Sequence, residues 1–438
     1  MLQLNYTPSM TWNKSDQETD TLNHIDNKFS LLDTILSDKY SNTYFVQKAG
    51  VSYRYRTANM NTSIGVNGQD AMLSGTNIFP FQYRTSLTFL SVLPSAMFNY
   101  KFANKSTLRI IYKTSTSPPS ISQLQSVINN SNPLLLSTGN PGLNQSYNNS
   151  INIRYGFAHG PKGQSLFAFA NVSNTMNYVA NATIIASQDT LIDNTVLLHR
   201  GSQFTLPVNV NGSWSANTFI TYGAAIDKMK CNLSINTGFS YSRTPGIVNE
   251  RLSLSNSYVP TGGVVLSSNI SEKIDFTISY TGTYNVIRNT IQSNANNNYF
   301  GHTGNVKFNW LPWKGLVFNT SLQNTYYLGS QNFNQDIFIW NLALGYKFLK
   351  NKSLDIRASV NDVLNQNSGL SRTVSQTYIE DDRTKVLGRY IMLTVTWTLR
   401  YFKSGAPPAE PENKNNNNRP RNGGGNQGGN SGYGGYGQ

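Results

Sequence analysis

The clearest pattern in this sequence is a strict alternation of apolar and polar side chains between Arg389 and Phe402. The apolar row consists of Ile391, Leu393, Val395, Trp397, Leu399 and Tyr401. Because successive side chains of a strand point to opposite faces, the pattern predicts a β-strand with a different solvent on each face. Strands of soluble proteins usually end after ~5–6 residues, whereas a tilted strand needs ~9–11 residues to cross a bilayer. We therefore interpret 389–402 as the closing strand of an outer-membrane β-barrel.

The same alternation recurs about sixteen times, which predicts an all-β fold, an antiparallel transmembrane β-barrel. The predicted strands are 2–10, 44–57, 60–73, 87–102, 106–117, 147–158, 164–178, 206–225, 230–242, 261–271, 274–285, 299–311, 315–328, 336–348, 353–363 and 389–402. Charged residues fall on the polar rows and hardly ever on the apolar ones, since Arg or Lys facing lipid near the midplane costs ~2–4 kcal/mol. The single cysteine, Cys231, lies on an apolar row and is interpreted as a small buried or lipid-facing residue.

The connections between predicted strands alternate in length. Short turns are predicted at 103–105, 161–163, 227–229, 272–273, 312–314 and 350–352. Long polar loops are predicted at 11–43, 118–146, 179–205, 243–260, 286–298 and 364–388. Such alternation is typical of periplasmic turns and extracellular loops. It predicts that the last strand descends, so that residues 1–402 form the barrel domain and residues 403–438 a periplasmic tail.

Composition agrees with a barrel followed by a disordered tail. The 438 residues are 38% hydrophobic, 12% aromatic and only 13% charged, which suits a thin apolar wall better than a soluble α/β enzyme. The Asn- and Gly-rich tail cannot bury enough apolar surface to offset its chain entropy. Its Arg419, Arg421, Tyr433 and Tyr436 resemble RNA-binding glycine-rich tails, but a periplasmic linker fits the topology. The formal charge of +14 comes without basic runs in the body of the chain, so no nucleic-acid partner is expected.

Export raises a separate expectation. No stretch approaches ~18 consecutive apolar residues, so no transmembrane helix is predicted. Met1 leads directly into a polar–apolar alternation without the pattern of a signal peptide. Since an outer-membrane protein must be exported, we expect the chain to be a fragment or to lack its start.

The sequence offers few candidates for catalysis or metal binding. The histidines are His24, His159, His199 and His302, all in or near predicted loops and turns, without metal-ligand spacing or an adjacent carboxylate. Two acidic clusters, Asp16–Glu18–Asp20 and Glu380–Asp381–Asp382, are interpreted as solvated loop charge, with Ca²⁺ binding as the alternative. Strand-end aromatics are interpreted as interface girdles, with sugar stacking as the alternative: Trp310, Trp313, Tyr326, Tyr327, Trp340 and Trp397. No enzymatic motif is found, so no catalytic residue, cofactor or metal is expected, and no ligand-binding residue is identified.

Two stretches resemble a known family. The first is YKTSTSPPSISQL at 112–124, followed by NSNPL at 130–134 and GNPGL at 139–143. The second is VNDVLNQN at 360–367, followed by RYIML at 389–393. Both resemble the barrel of TonB-dependent receptors, especially the outer-membrane β-barrel family of Bacteroidota-type bacteria, over most of 1–402. The family's Gly-Asn-Pro-x-Leu run usually continues into Lys-Pro-Glu, whereas Asn144-Gln145-Ser146 follows here.

The resemblance implies a barrel of about 22 strands, plugged by an N-terminal domain, that imports a scarce nutrient with energy passed through TonB. About sixteen predicted strands leave about six unaccounted for, so the chain looks like the C-terminal part of such a barrel, without its plug. The implied partners are outer-membrane lipid, the TonB system, a surface lipoprotein and a small nutrient ligand met by loops 118–146, 179–205 and 364–388. Siderophores, oligosaccharides, peptides and cobalamin all stay open as ligands. A passive porin, for which sixteen strands is also a usual number, and a surface binding or adhesion protein stay open as functions.

Overall fold

In the computed structural model of the chain, structure is described for 1–398 apart from 24, 26, 35–36, 80–81, 130–131, 160–162, 193–195, 269, 272, 292–295, 330–334, 350–352 and 375–378. The predicted tail at 403–438 lies outside the described residues, as do 399–402 of the last predicted strand. Residues Met1–Thr396 form one compact unit. The described part of the chain has no helix long and apolar enough to cross a membrane.

Most of the described part of this unit is β-strand, and its described helical elements are the short helix α1 (Ile121–Leu124) and a 3-10 turn at Asp227–Met229. The strands are β1 (Leu2–Gln17), β2 (Asp20–Asn23), β3 (Lys28–Leu32), β4 (Asp38–Arg56), β5 (Met60–Phe79), β6 (Tyr83–Lys101), β7 (Thr107–Ser117), β8 (Leu135–Ser137), β9 (Ser146–His159), β10 (Gln164–Met176), β11 (Tyr178–Ile185), β12 (Thr190–Ile192), β13 (Val196–Leu198), β14 (Gln203–Val210), β15 (Ser213–Ile226), β16 (Cys231–Val248), β17 (Arg251–Ser268), β18 (Ile274–Asn289), β19 (Asn297–Trp310), β20 (Leu316–Leu328), β21 (Gln335–Phe348), β22 (Leu354–Asn361), β23 (Gly369–Val374), β24 (Ile379–Thr384) and β25 (Tyr390–Trp397).

Sixteen of these strands form one antiparallel row, which we call the wall. Its members, in order, are β1, β4, β5, β6, β7, β9, β10, β15, β16, β17, β18, β19, β20, β21, β22 and β25. At its far end the Ser359 hydroxyl of β22 donates to the carbonyl of Met392 on β25, at 3.4 Å. The predicted all-β, antiparallel fold and the count of about sixteen strands are therefore confirmed.

The two faces of the wall differ in polarity. The face that we call apolar carries rows such as Ile274, Phe276, Ile278 and Tyr280 on β18, while Asp275, Thr277 and Ser279 lie on the opposite, polar face. Large side chains of the apolar face stay exposed, including Leu4 (77%), Leu90 (81%) and Ile391 (78%). An exposed apolar surface of this extent is typical of a membrane contact.

Connections within the wall alternate between two ends. At one end, the turn end, every connection is short: 57–59, 102–106, 160–163, 227–230, 269–273, 311–315 and 349–353. At the other, the loop end, the connections are 18–37, 80–82, 118–145, 177–212, 249–250, 290–296, 329–334 and 362–389. The loop end thus holds every long connection and also some short ones.

The long loop predicted at 243–260 is wrong. β16 and β17 instead continue to a turn of two residues, Asn249 and Glu250, whose φ angles are 47° and 65°. Positive φ at both central positions is the geometry of a type I′ hairpin turn. Pro245 and Pro260 are both accommodated within the strands, opposite Leu254 and Phe239. Similarly, β1 and β4 extend into the predicted loop 11–43, and the hairpin of β2 and β3 lies between them.

The single strand predicted at 206–225 is also wrong, because Gly212 divides it. Its φ of 101° lies in the region that favours glycine, and it separates β14 from β15. Only β15 belongs to the wall. β14 pairs instead with β11 and, in parallel, with β8.

The segment VNDVLNQN at 360–367, which opens the second of the two stretches that carry the family resemblance, forms a tight turn at the end of β22. Asp362 is almost fully buried, and its two carboxylate oxygens accept from the backbone N–H groups of Gln366 and Asn367 at 3.0 and 2.9 Å. The side chain of Asn365 accepts from the N–H of Arg389 at 2.8 Å, which fixes the residue before β25. The motif therefore determines how the last connection of the wall leaves β22.

We expect Asp362→Ala to destabilise the wall by about 2–4 kcal/mol, because two charge-assisted hydrogen bonds are lost from a buried turn. Asp362→Asn retains an acceptor and tolerates the positive φ of 50° at this position, so its effect should be smaller. Urea unfolding of the detergent-folded protein measures both, with the exposed turn residue Asp227→Ala as the control. Equal midpoints for Asp362→Ala and the control would contradict this role.

Candidate functional site

Two loop-end connections, 118–145 and 177–212, fold together into one unit that we call the loop module. Within it β14 lies between β8 and β11, and β11 also pairs in parallel with the end of β16. A hydrophobic cluster joins the two connections: Ile128, Leu136, Ala186, Leu198 and Phe204. The module therefore has an apolar core of its own.

A second hydrophobic cluster holds the loop module against the polar face of the wall. Leu124 and Leu143 of the module pack with Val46, Ala71, Leu73 and Phe89 of β4, β5 and β6. Leu143 is 1% exposed, so its contact surface is almost complete. The loop module is thus folded inward onto the polar face instead of projecting away from it.

Polar contacts supplement this packing. The Gln125 amide donates to the buried carboxylate of Asp38 at 2.7 Å, and the Gln145 amide donates to the Ser91 hydroxyl at 2.9 Å. Gly139 lies against the backbone of Gln125, where a Cβ atom would come within 2.2 Å of the Gln125 carbonyl oxygen. The first of the two stretches quoted above thus supplies both leucines, Leu124 and Leu143, that pack against β4, β5 and β6.

Next to the docked module, on the polar face, lies a pocket of about 410 Å³. Its lining includes Lys48 and Lys113 together with Asn5, Asn67, Ser63 and Ser95. The side chains of Asn5 and Asn67 are hydrogen-bonded to each other at 2.8 Å. The pocket therefore combines two cations with amides and hydroxyls, a set of groups suited to a polar or anionic solute.

Further cations follow on the polar face toward the turn end. By strand alternation and register these are Arg54, Arg56, Lys101, Arg109 and Arg154. We call them, with Lys48 and Lys113, the basic strip. On the described polar face of β1, β4–β7, β9, β10 and β15–β17, Asp38 is the one carboxylate, and it lies at the opposite end of β4 from Arg54 and Arg56.

The chain matches the model of the outer membrane protein beta-barrel family over residues 2–397. It belongs to that family. The match places the chain in the outer membrane, where the apolar face of such a barrel meets lipid and the polar face lines its interior.

Three solved structures are similar to this outer-membrane barrel. They are the siderophore receptor PirA from Acinetobacter baumannii (12% identity, TM-score 0.36, covering 90% of this chain and 59% of that chain), the outer membrane transporter YddB from Escherichia coli (10%, 0.26, 91% and 74%) and OccK7 (OpdD) from Pseudomonas aeruginosa (10%, 0.22, 90% and 98%). The chain thus spans 59% of the length of PirA. Among proteins of curated function, none matches it.

The histidines differ from their predicted settings in two cases. His302 was placed in or near a loop but lies within β19, on the apolar face, among the rings of Tyr280, Phe300 and Tyr326. His199 does have an adjacent carboxylate, Asp189, at 3.5 Å. The pKa of Asp189 lies below its usual value, chiefly because the backbone N–H of Arg200 donates to it and secondarily because of His199. His24 and the side chain of His159 lie outside the described residues.

Of the acidic clusters, Asp16 and Glu18 form ion pairs with Lys39 at 3.2 and 2.9 Å, with all three side chains well exposed. The cluster at 380–382 falls within β24, and the side chains of its first two members lie outside the described residues. No group of three potential metal ligands occurs among the residues that the structure describes.

The strand-end aromatics lie mostly on the apolar face, as interface girdles require. Trp310, Tyr326, Trp340 and Trp397 follow this pattern, and Trp313 lies in an exposed turn. Tyr327 is the exception: its register opposite Gly301 places it on the polar face.

Cys231 is buried, as predicted. Charge on the polar rows was visible in the sequence, but the basic strip was missed because its members come together only through strand register.

We expect Leu143→Ala to loosen the docking of the loop module, since truncating a buried leucine typically costs ~2–5 kcal/mol. The matched control is Leu134→Ala, because Leu134 lies in the same connection but is 62% exposed. Hydrogen exchange of β11 and β14 should accelerate in the first variant alone. Equal exchange in both variants would show that the cluster does not hold the module in place.

Proposed function

We propose that this chain forms the barrel wall of a TonB-dependent-receptor-type importer, which binds a small nutrient and passes it across the outer membrane. The observation that carries the proposal is the loop module docked on the polar face, beside a pocket of about 410 Å³. A module folded inward narrows the interior, and a narrowed interior favours selective uptake over a wide aqueous channel. No chemical step is part of this proposal.

In this proposal the loop end is extracellular and the turn end periplasmic, because outer-membrane barrels keep their short turns on the periplasmic side. β25 then descends and leaves the tail in the periplasm. A solute arriving from outside meets the loop module first, next the pocket with Lys48 and Lys113, and then the rest of the basic strip. Of the three loops expected to meet ligand, 118–146 and 179–205 supply the module.

The energy source and a surface partner belong to the same proposal. We assign TonB coupling to a plug domain that occupies the interior of a complete receptor, and we assign ligand delivery to a surface lipoprotein at the loop end. The nutrient in this proposal is a siderophore, an oligosaccharide or a peptide, since each requires a binding surface of mixed amides, hydroxyls and charges.

A passive porin-like channel is the second candidate, and one observation favours it. The inward fold of 118–145 resembles a constriction loop, which narrows a pore without closing it. This connection carries no charged residue, so it narrows the path without selecting ions by its own charge. Such a channel needs no energy source.

Two measurements on the full-length protein distinguish the candidates. For the importer we expect nutrient uptake by intact cells to stop when TonB is deleted, and planar bilayers containing the purified protein to show no steady ion conductance. Steady conductance in the absence of any energy source, with uptake unaffected by loss of TonB, would establish the passive channel instead. Heat-modifiable migration verifies that the protein used is folded.

A further inference from the structure

Three arginines of the basic strip occupy one level of the wall. Strand register places the following residues in a single row across six neighbouring strands: Arg56, Asn61, Asn99, Arg109, Arg154 and Phe169. All of them share the polar face, because each pairs directly with the next. The row therefore presents three guanidinium groups and two amides to the interior.

Arg109 and Arg154 stand directly opposite each other on β7 and β9. Directly opposed side chains of an antiparallel pair have Cβ atoms roughly 4.5–5.5 Å apart, and like charges at that separation are destabilising. The guanidinium of Arg154 lies 5.6 Å from the centre of the Phe169 ring, which holds it by a cation–π contact.

On β21 and β22, by contrast, the cations of the polar face have a carboxylate beside them. On β22, Arg357 forms an ion pair with Asp355 at 3.3 Å, and Asp355 also stands directly opposite Lys347 of β21. There one carboxylate accompanies two cations. Around the arginine row, no carboxylate lies on the polar face of the described parts of β5, β6, β7, β9 and β10.

We propose that Arg109 and Arg154, with the neighbouring amide of Asn99, bind an oxyanion, either a carboxylate or a phosphate group, of the solute that the protein takes up. A planar guanidinium donates two parallel hydrogen bonds to such a group. An anion between the two arginines replaces their repulsion by attraction. This inference rests on the proposed function in one respect, namely that the anion belongs to an imported solute.

Lys48, Lys113 and Lys101 extend the same charge along the path of the solute. Lys113 lies four residues along β7 from Arg109 toward the loop end, and Lys101 two residues along β6 from Asn99 toward the turn end. A surface of one sign attracts counter-ions and raises their local concentration. The arginine row is the one level of this strip where two cations face each other directly.

The test is isothermal titration of inorganic phosphate and, separately, of citrate into the purified full-length protein in detergent at low ionic strength. We expect at least one of the two anions to bind, and the double variant Arg109→Gln/Arg154→Gln to bind it at least tenfold more weakly. Lys307→Gln is the matched control, because Lys307 is a polar-face cation of β19 whose cross-strand neighbours are Thr277 and Ser321. It should bind within twofold of the unmodified protein.

A second readout does not depend on the choice of anion. Without added anion, Arg109→Gln should raise the melting temperature, since it removes a repulsion. Phosphate or citrate should raise that of the unmodified protein but not that of the double variant. Should the glutamine variants fail to fold, Arg109→Lys/Arg154→Lys keeps both charges and loses the paired donors, so its anion affinity should fall several-fold.

Binding of neither anion to the unmodified protein, or equal binding to the double variant, would overturn the proposal. Phosphate binding alone assigns a phosphorylated solute, and citrate binding alone assigns a carboxylate-bearing one. Anion binding by a protein whose uptake is independent of TonB would refute the importer and leave the anion site intact. Uptake that depends on TonB, together with no anion binding, would refute only this inference.

Discussion

A backbone amide inside hydrocarbon has no water to bond with, so each one must find a carbonyl within the protein. In this chain the requirement is met by pairing each wall strand with the next wall strand along the sequence, from β1 to β22, in antiparallel register. Pairing of this kind fixes which side chains face lipid and which do not. The apolar face is therefore committed to lipid, and only the polar face and the loop end are free to acquire function.

Charged side chains are distributed unevenly over the polar face. Near β22 its cations are accompanied by Asp355, whereas between β4 and β9 arginines and lysines accumulate beside amides and hydroxyls. The loop module covers the loop-end part of this second region through Leu124 and Leu143. Charge and cover thus coincide on the same strands, so the part of the wall built from β4 to β10 carries both the docked module and the basic strip.

The sequence predicted the wall well and the loop end poorly, for a physical reason. Wherever a strand crosses lipid, as at 274–281, two solvents impose the alternation that makes the strand recognisable. In β16 and β17 the apolar row is interrupted where Arg243 pairs with Asn256, so the alternation becomes hard to recognise before the hairpin turn at Asn249. The backbone pairing of β16 with β17 nevertheless continues up to the turn. The basic strip was hidden for a related reason: Arg56, Arg109 and Arg154 are far apart in sequence, and only register brings them to one level.

The attachment of β11 to the end of β16 has a mechanical consequence. Thr183 lies beside Val248, its carbonyl accepts from the N–H of Asn249 at 2.9 Å, and the Asn249 side chain accepts from the N–H of Ile185 at 2.9 Å. The loop module is also anchored on β4, β5 and β6, so it bridges two separated parts of the wall. It therefore acts as a cross-brace at the rim. The attachment to β16 consists of hydrogen bonds that involve the backbone, whereas the attachment to β4–β6 combines a buried apolar cluster with the hydrogen bonds from Gln125 to Asp38 and from Gln145 to Ser91. If either attachment is lost, the other still holds the module to the wall.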